Sequence, residues 1–368
     1  MVEHIKERNS IKQKSPTAIS ILLKATMLSF VFVLFMLFLT TLGISGYSYY
    51  KLNQFAKKAQ TTVPELKTLI TTAIKTTPEH TQGYKTILLL GIDSVDNKPD
   101  SPELTDTVLL LSLNMKTGKI NTISLPRDLW ATAYQTRINA LYEYGKKKYI
   151  EKPEQFAEKV ISELTGLEID HTITLSLKTV AQIIDILDGI EVMVTEGFTD
   201  SEFPREDVDI LSATNTAELY ETVTFNSGLQ KMDGKTVLKY IRSRKSINLS
   251  QGTDIARSER QQQVISALIS RFKNFSIIKD TDILAELYIF YTKTFEHQLP
   301  KLVVLTTLNQ LRPHLESISL KSHTLNIYPE NKNGTITNPP VSKYKGQWVY
   351  EIRDIQNFQM EIQSKLKE

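Results

Sequence analysis

Lys85–Ile92 (KTILLLGI), Thr107–Asn114 (TVLLLSLN) and Lys119–Leu125 (KINTISL) are the three runs whose reading decides the fold. The first two are short and continuously apolar, as in strands covered on both faces, and the third alternates with period two. Asn114–Lys119 (NMKTGK) reads as a turn. Strands so short and closely connected pair most simply as an antiparallel meander. The end of the first, the start of the second and the end of the third then share one sheet edge. That edge carries Asp93, Asp106 and the pair Arg127–Asp128. Two adjacent carboxylates repel unless a proton or cation sits between them, and hard oxygen ligands suit Mg²⁺. Taken singly, each acid also reads as a turn residue or cap. Asp96, Asp100 and Glu103 in the same loop read that way. Convergence with arginine is what points to chemistry at Asp93 and Asp106.

Outward from the meander, Arg137–Tyr149 and Pro153–Gly166 read as helices, His171–Leu177 as a strand, Lys178–Gly189 as a helix and Ile190–Val194 as a strand. Residues 196–227 are polar and irregular, a surface excursion. Asp233–Arg244 and Asp254–Phe275 are amphipathic helices, with more helix over 279–312. Ser322–Pro329 and Gly346–Arg353 are late strands, and a final helix follows. Alternating strands and helices predict an α/β fold, an α-β-α sandwich around a central mixed sheet.

The segment Arg242–Gln263 holds Arg242, Arg244, Arg257 and Arg260 with one acid, Asp254, among the arginines. A guanidinium fork matches phosphate or carboxylate with two parallel hydrogen bonds. At 3.6 residues per turn, Val264, Ile265, Leu268 and Phe272 form a buried stripe that Arg257 and Gln261 share. Arg260 lies beside it, and Glu259, Gln263 and Ser266 point away. Val237, Ile241 and Arg244 share a face of the preceding helix. Arginines aimed inward from two helices are costly without an anion between them. A structural network with Asp254 is the plainer reading, and Asp254 also suits the N-cap of its helix.

Met27–Ile44 (MLSFVFVLFMLFLTTLGI) lies within a charge-free stretch from Ala25 to Tyr50. That is long enough to cross a hydrocarbon core of about 30 Å as one helix. Lys6, Arg8, Lys12, Lys14 and Lys24 precede it and place the N-terminus in the cytoplasm, with the bulk of the chain outside the cell. A cleaved signal peptide fits less well, since the apolar run is too long. The 368 residues contain no cysteine, which excludes disulfides and thiolate chemistry. A net charge of +3 does not describe a nucleic-acid binder. No phosphate-binding GxxxxGK[ST] loop, GxSxG elbow or HExxH pair occurs.

In order along the chain, LLLGID (Leu88–Asp93), TDT (Thr105–Thr107), SLPRD (Ser124–Asp128), RINALYEYG (Arg137–Gly145), DGIEV (Asp188–Val192), MDG (Met232–Gly234), YIRSR (Tyr240–Arg244) and GTDIARSERQQQ (Gly252–Gln263) resemble the LytR–CpsA–Psr family of envelope proteins. The resemblance implies a Mg²⁺-dependent phosphotransferase that moves a phosphorylated glycopolymer from a polyprenyl-pyrophosphate carrier in the membrane to peptidoglycan. It implies Asp93 and Asp106 as metal-linked acids. Arg127, Arg242, Arg244, Arg257 and Gln261 correspond to the pyrophosphate set, with Asp254 and Arg260 at polar positions of the same motif. Asp93, Asp106, Arg127 and Asp254 are the catalytic candidates. Family members hold the prenyl chain in an apolar tunnel between sheet and helices. Val95 and Leu104 depart from the pattern at places where the family often has arginine. The implied layout is a cytoplasmic tail (1–24), an anchor (25–50), a stalk (51–82), a catalytic domain (83–275) and C-terminal helices and strands packed on or extending it (276–368). A non-catalytic polyprenyl-phosphate binding or regulatory protein, and a polyprenyl-pyrophosphate pyrophosphatase, are the rival readings.

Overall fold

The leucine run forms β1 (Tyr84–Ile92), and β2 (Thr105–Asn114) and β3 (Lys119–Leu125) return beside it as an antiparallel meander. The computed structural model describes residues 18–78, 80, 82–92, 102–205, 215–248, 250–273 and 280–368. Asn114 holds the β2–β3 turn by accepting from the N–H groups of Lys116 and Thr117 at 2.9 and 3.1 Å. A short ladder follows, β4 (Trp130–Ala131) with β5 (Thr136–Arg137). β6 (His171–Ser176) joins β1 in parallel. β7 (Ile190–Val194), β8 (Phe198–Pro204), β9 (Tyr220–Phe225) and β10 (Gly228–Met232) make two antiparallel ribbons, β7 with β10 and β8 with β9. β11 (Ser319–His323) adds to β3 in parallel, so the central sheet is mixed, in the order β11–β3–β2–β1–β6. β12 (Ile327–Tyr328), β13 (Ile336–Thr337) and β14 (Glu351–Ile352) form a small separate sheet.

The helices are α1 (Ala18–Lys58), α2 (Val63–Lys75), α3 (Leu141–Lys148), α4 (Glu154–Thr165), α5 (Leu177–Ile186), α6 (Gly234–Arg242), α7 (Asp254–Lys273), α8 (Thr281–Thr294), α9 (Lys301–Leu311) and α10 (Ile355–Leu366). In α2, α5, α6, α8 and α10 free N-terminal N–H groups are met by side chains. Thr62 and Glu65 form a capping box on α2, while Ser176, Asp233, Asp280 and Asp354 cap α5, α6, α8 and α10.

The chain divides into two units, Met1–Phe55 and Ala56–Glu368. The first is the greater part of α1, with Val33, Phe35, Leu37 and Phe38 exposed. The span expected over 25–50 falls within this helix. Among the described residues, no helix is long and apolar enough to cross a membrane. Most of the tail expected over 1–24 lies outside the described residues, as do Asp93, Val95, Asp96 and Asp100.

In the larger unit the two faces of the sheet are covered differently. Leu88, Leu90, Val108, Leu110 and Ile123, each 0% exposed, pack against α3, α4 and α10. On the other face Leu109 and Leu113 are buried, but Ile87, Leu89, Leu111, Ile173 and Leu175 are only half buried. A second core, with Val192, Phe198, Phe225, Val237, Tyr240 and Val264, gathers around the ribbons, α6 and α7.

Two sequence expectations are corrected here. The polar excursion over 196–227 contains the β8–β9 hairpin, whose Phe198, Phe203, Val223 and Phe225 supply that second core. Its alternation is broken by a register shift between Asp200 and Phe203, which hid the period. Ile190–Val194 is a strand as expected, but in a ribbon outside the central sheet.

Gly145 marks where α3 meets the start of α4. A Cβ there would lie 1.9 Å from the carbonyl oxygen of Pro153. Gly145→Ala is expected to destabilise the unit by about 1–3 kcal/mol, as overpacking does; the urea unfolding midpoint measures it, and an unchanged midpoint would refute this close approach.

Candidate functional site

β2 begins at the sheet edge with Thr105, Asp106 and Thr107, opposite the end of β1. Thr105 is paired with Ile92 across a register shift. Gly91 makes the edge possible, since a Cβ on it would sit 2.8 Å from Cβ of Thr107. β3 ends nearby, with Val108 opposite Leu125, and delivers Arg127 and Asp128 to the same edge. The expectation that these strand ends converge is met for Asp106, Arg127 and Asp128. Asp93 lies outside the described residues.

Asp106 is the hub. Its Oδ1 accepts from Nη1 of Arg127 at 2.8 Å. Its Oδ2 accepts from Nη2 of Arg244 at 3.2 Å and from Nη2 of Arg257 at 3.1 Å. The carboxylate side chain is 12% exposed and Arg257 10%, so this part of the network is shielded from water; Arg127 at 32% and Arg244 at 46% are more open. Three guanidinium groups on one carboxylate leave a net positive cluster. Asp128 orients one of them by accepting from Nε of Arg127 at 3.4 Å and from Nη1 of Arg137 at 2.7 Å. Thr107 donates to the side-chain oxygen of Gln261 at 3.1 Å, which ties β2 to α7 beside the hub.

Arg242, Arg244 and Arg257 line one cavity of about 320 Å³, together with Asp200, Phe203, Pro204 and Tyr220. The Arg242 guanidinium lies 5.8 Å from the centre of the Phe203 ring. Nε of Arg257 is buried without a hydrogen-bond partner. A buried donor left without an acceptor is costly.

The loop between α6 and α7 sets the arginines. Arg244 does not share a helix face with Val237 and Ile241, as the sequence pattern predicted, because α6 ends at Arg242. The buried carboxylate of Asp200 accepts from the backbone N–H groups of Arg244 and Lys245 at 3.0 and 3.1 Å and aims the segment. Arg260 differs from its expected place. It is 2% exposed, on the buried stripe itself, and donates to the carbonyls of Ser243 and Gln251 at 2.6 and 2.9 Å. Its guanidinium lies 4.7 Å from the Phe198 ring centre. Burial lowers its pKa, with Tyr240, Asp200 and Glu259 opposing the shift. Arg260 thus holds the loop beneath the cavity.

The stripe on α7 is met at Arg257 and Val264, which are buried, but it also takes in Ala256, Arg260 and Ala267, and Phe272 is 48% exposed. Two surfaces compete for this helix, the sheet edge and the second core. Gln263, expected to point outward, accepts from the Tyr240 hydroxyl and donates to Thr195 at 3.1 Å. Burial pushes the Tyr240 phenol up to about 12, so it remains a donor at neutral pH. Thr253, rather than Asp254, caps the helix by accepting from the N–H of Ala256 at 3.1 Å. Asp254 opens α7; its side chain lies outside the described residues.

Sequence reasoning missed Asp200 and left Asp128 and Arg137 without roles. Asp128 had a signal, an acid directly after Arg127 at a strand end. Asp200 had none, since its hairpin was unread. As for a metal, Asp106 offers about four lone-pair positions, and three are taken by arginine. Among the described residues nothing else donates to Oδ1, and its hard oxygen suits Mg²⁺ when phosphate oxygens and water complete the set. Among the described residues, no group of three His, Cys, Asp or Glu side chains could hold a metal.

The model of the LytR_cpsA_psr family matches residues 46–360. The polyisoprenyl-teichoic acid–peptidoglycan teichoic acid transferase TagU of Bacillus subtilis is 25% identical over 247 residues, 65% of this chain and 69% of that protein. The transferase of the same name from Oceanobacillus iheyensis is 29% identical over 195 residues, which span 52% of each chain. The crystal structure of Bacillus subtilis TagV shares the fold, with a TM-score of 0.51 at 20% identity over 78% of this chain and 99% of that one.

Neutralising the hub should be measurable without turnover. Asp106→Asn removes the carboxylate that three arginines share and is expected to cost on the order of 3 kcal/mol, as breaking a shielded ion pair does. In magnesium-free buffer, inorganic pyrophosphate should raise the melting temperature of this variant more than that of the parent, because no internal anion must be displaced. An equal or larger rise for the parent would contradict this arrangement.

Proposed function

We propose, from the premise that this chain belongs to the LytR–CpsA–Psr family, that it moves a phosphorylated glycopolymer from a membrane polyprenyl-pyrophosphate carrier to peptidoglycan. The observation that carries the reading is the convergence of Arg127, Arg244 and Arg257 on one carboxylate beside a cavity. Such a cluster fits a diphosphate, whose oxygens take the forks two at a time.

In the proposed reaction the arginines grip the diphosphate and spread the charge that builds on it as polyprenyl phosphate leaves. A bond forms between the polymer's phosphorus and the acceptor hydroxyl oxygen. The bond from that phosphorus to the bridging oxygen breaks, and a carboxylate, Asp106 or Asp254, takes the hydroxyl proton. The product is a phosphodiester. Asp106, with Asp93, would hold Mg²⁺, which when bound neutralises phosphate charge.

The half-buried sheet face supports the lipid part of the reading. Ile87, Leu89, Leu111, Ile173 and Leu175 form an apolar surface with less cover than the opposite face. A prenyl chain lying there would complete its burial, at about 25 cal/mol per Å² of apolar area. The anchor proposed over 25–50, with its N-terminus in the cytoplasm, would keep the site where lipid carrier and wall acceptor meet.

Arg127→Ala and Arg257→Ala are each expected to lower transfer on the order of a hundredfold, and chelation of Mg²⁺ to suppress it. The assay uses a polyprenyl-pyrophosphate-linked polymer with peptidoglycan, followed by product analysis. Full turnover in either variant would reject this site. Release of free polymer phosphate at one rate with and without acceptor would identify a pyrophosphatase. Binding without turnover would identify a carrier or regulator.

A further inference from the structure

We infer that Arg260 contributes to diphosphate binding through its charge, as a buried cation set behind Arg244 and Arg257 that does not touch the ligand. The inference rests on the transfer reading above and deepens it, because part of the affinity for the anion is assigned to a residue outside the cavity wall. Arg260 is 2% exposed and does not line the cavity. Its hydrogen bonds go to neutral groups. Nη2 donates to the carbonyl of Ser243 at 2.6 Å, and Nη1 donates to the backbone carbonyl of Gln251 at 2.9 Å and to its side-chain oxygen at 3.3 Å. Among the described residues no carboxylate is bonded to it, and its Nε has no acceptor.

A guanidinium keeps its charge at every pH that the protein meets. Arginine is almost never fully buried without an acid paired to it, and an unpaired buried charge is costly. The acids around Arg260 bond elsewhere. Asp200, itself 1% exposed, spends its oxygens on the backbone N–H groups of Glu202, Arg244 and Lys245 at 3.0, 3.0 and 3.1 Å. Glu196 reaches the far side of the Gln251 amide, accepting from its Nε2 at 2.8 Å. Asp200 and Glu259 act on the guanidinium from a distance. The Phe198 ring, 4.7 Å away, stabilises it in part. No neighbour bonded to Arg260 supplies the opposite charge.

The fold aims that charge at the cavity. Arg257 lies three residues earlier on α7, and side chains so spaced are neighbours, with Cβ atoms about 5–6 Å apart. Ser243, whose carbonyl Arg260 holds, stands between Arg242 and Arg244, which line the cavity with Arg257. Away from water, charges act on each other strongly and salt screens them little. An anion in the cavity therefore feels Arg260 across the side chains that grip it. That anion is the counter-charge the buried guanidinium lacks.

The test is titration calorimetry of the full, detergent-solubilised chain with inorganic pyrophosphate in magnesium-free buffer. Arg260→Gln keeps an amide donor for the carbonyls and loses the charge, and should bind about tenfold more weakly. Arg260→Lys loses the fork and keeps the charge, and should stay within about threefold of the parent near pH 6. A buried lysine gives up its proton readily, so the deficit of Arg260→Lys relative to the parent should grow towards about pH 9. A residue that only held the loop would show no such change. Gln251→Leu removes a side-chain contact to Arg260 and to Glu196 but leaves the charge; it should lower the melting temperature and keep pyrophosphate affinity within about twofold. Parent-like affinity in Arg260→Gln, or a tenfold deficit in Arg260→Lys at every pH, overturns the inference and leaves the transfer reading standing. Should Arg260→Gln fail to fold, the lysine series decides. A parent chain that binds no pyrophosphate rejects both.

Discussion

Three guanidinium groups share the two oxygens of Asp106, and the rest of the site is arranged to make that possible. Like charges this close repel, so an anion must stand between them. The arginines come from three places: the end of β3, the loop after α6 and the first turn of α7. Each is fixed separately. Asp128 steers Arg127, Asp200 grips the backbone at Arg244, and the Arg260 side chain ties that loop down from below. Asp106 thus supplies the one anion that three converging guanidinium groups share.

Much of this was legible in sequence, for identifiable reasons. The meander was readable because three apolar runs with one clear turn leave few pairings, and the meander puts Asp106 and Arg127 together. The arginine density of Arg242–Gln263 was plain as well. Individual side-chain directions were less legible. A helix-face count assumes one buried surface, and α7 serves two, so Arg260 was placed beside the stripe it belongs to and Phe272 on a stripe it leaves. Arg244 was counted along a helix that had already ended. Asp200 was invisible because a bulged hairpin does not alternate cleanly, and its carboxylate works through backbone N–H groups that no motif records.

The unequal faces of the central sheet carry a second lesson. One face is closed by α3, α4 and α10 with no exposed leucine, and it provides the rigidity that a converging charge cluster requires. The other is apolar but less completely covered, with Ile87, Leu89 and Leu111 half buried. The C-terminal part adds to the sheet and to its closed face. β11 extends the sheet next to β3, α10 closes the rigid face, and the segment around Tyr350 reaches the backbone of Asp128.

The most direct measurement is a crystal structure of this chain with a short-chain prenyl pyrophosphate. The account predicts the diphosphate in the cavity lined by Arg244 and Arg257, within hydrogen-bond reach of Arg127, with at least one guanidinium released from Asp106. A diphosphate bound elsewhere, with all three arginines still on Asp106, would contradict it.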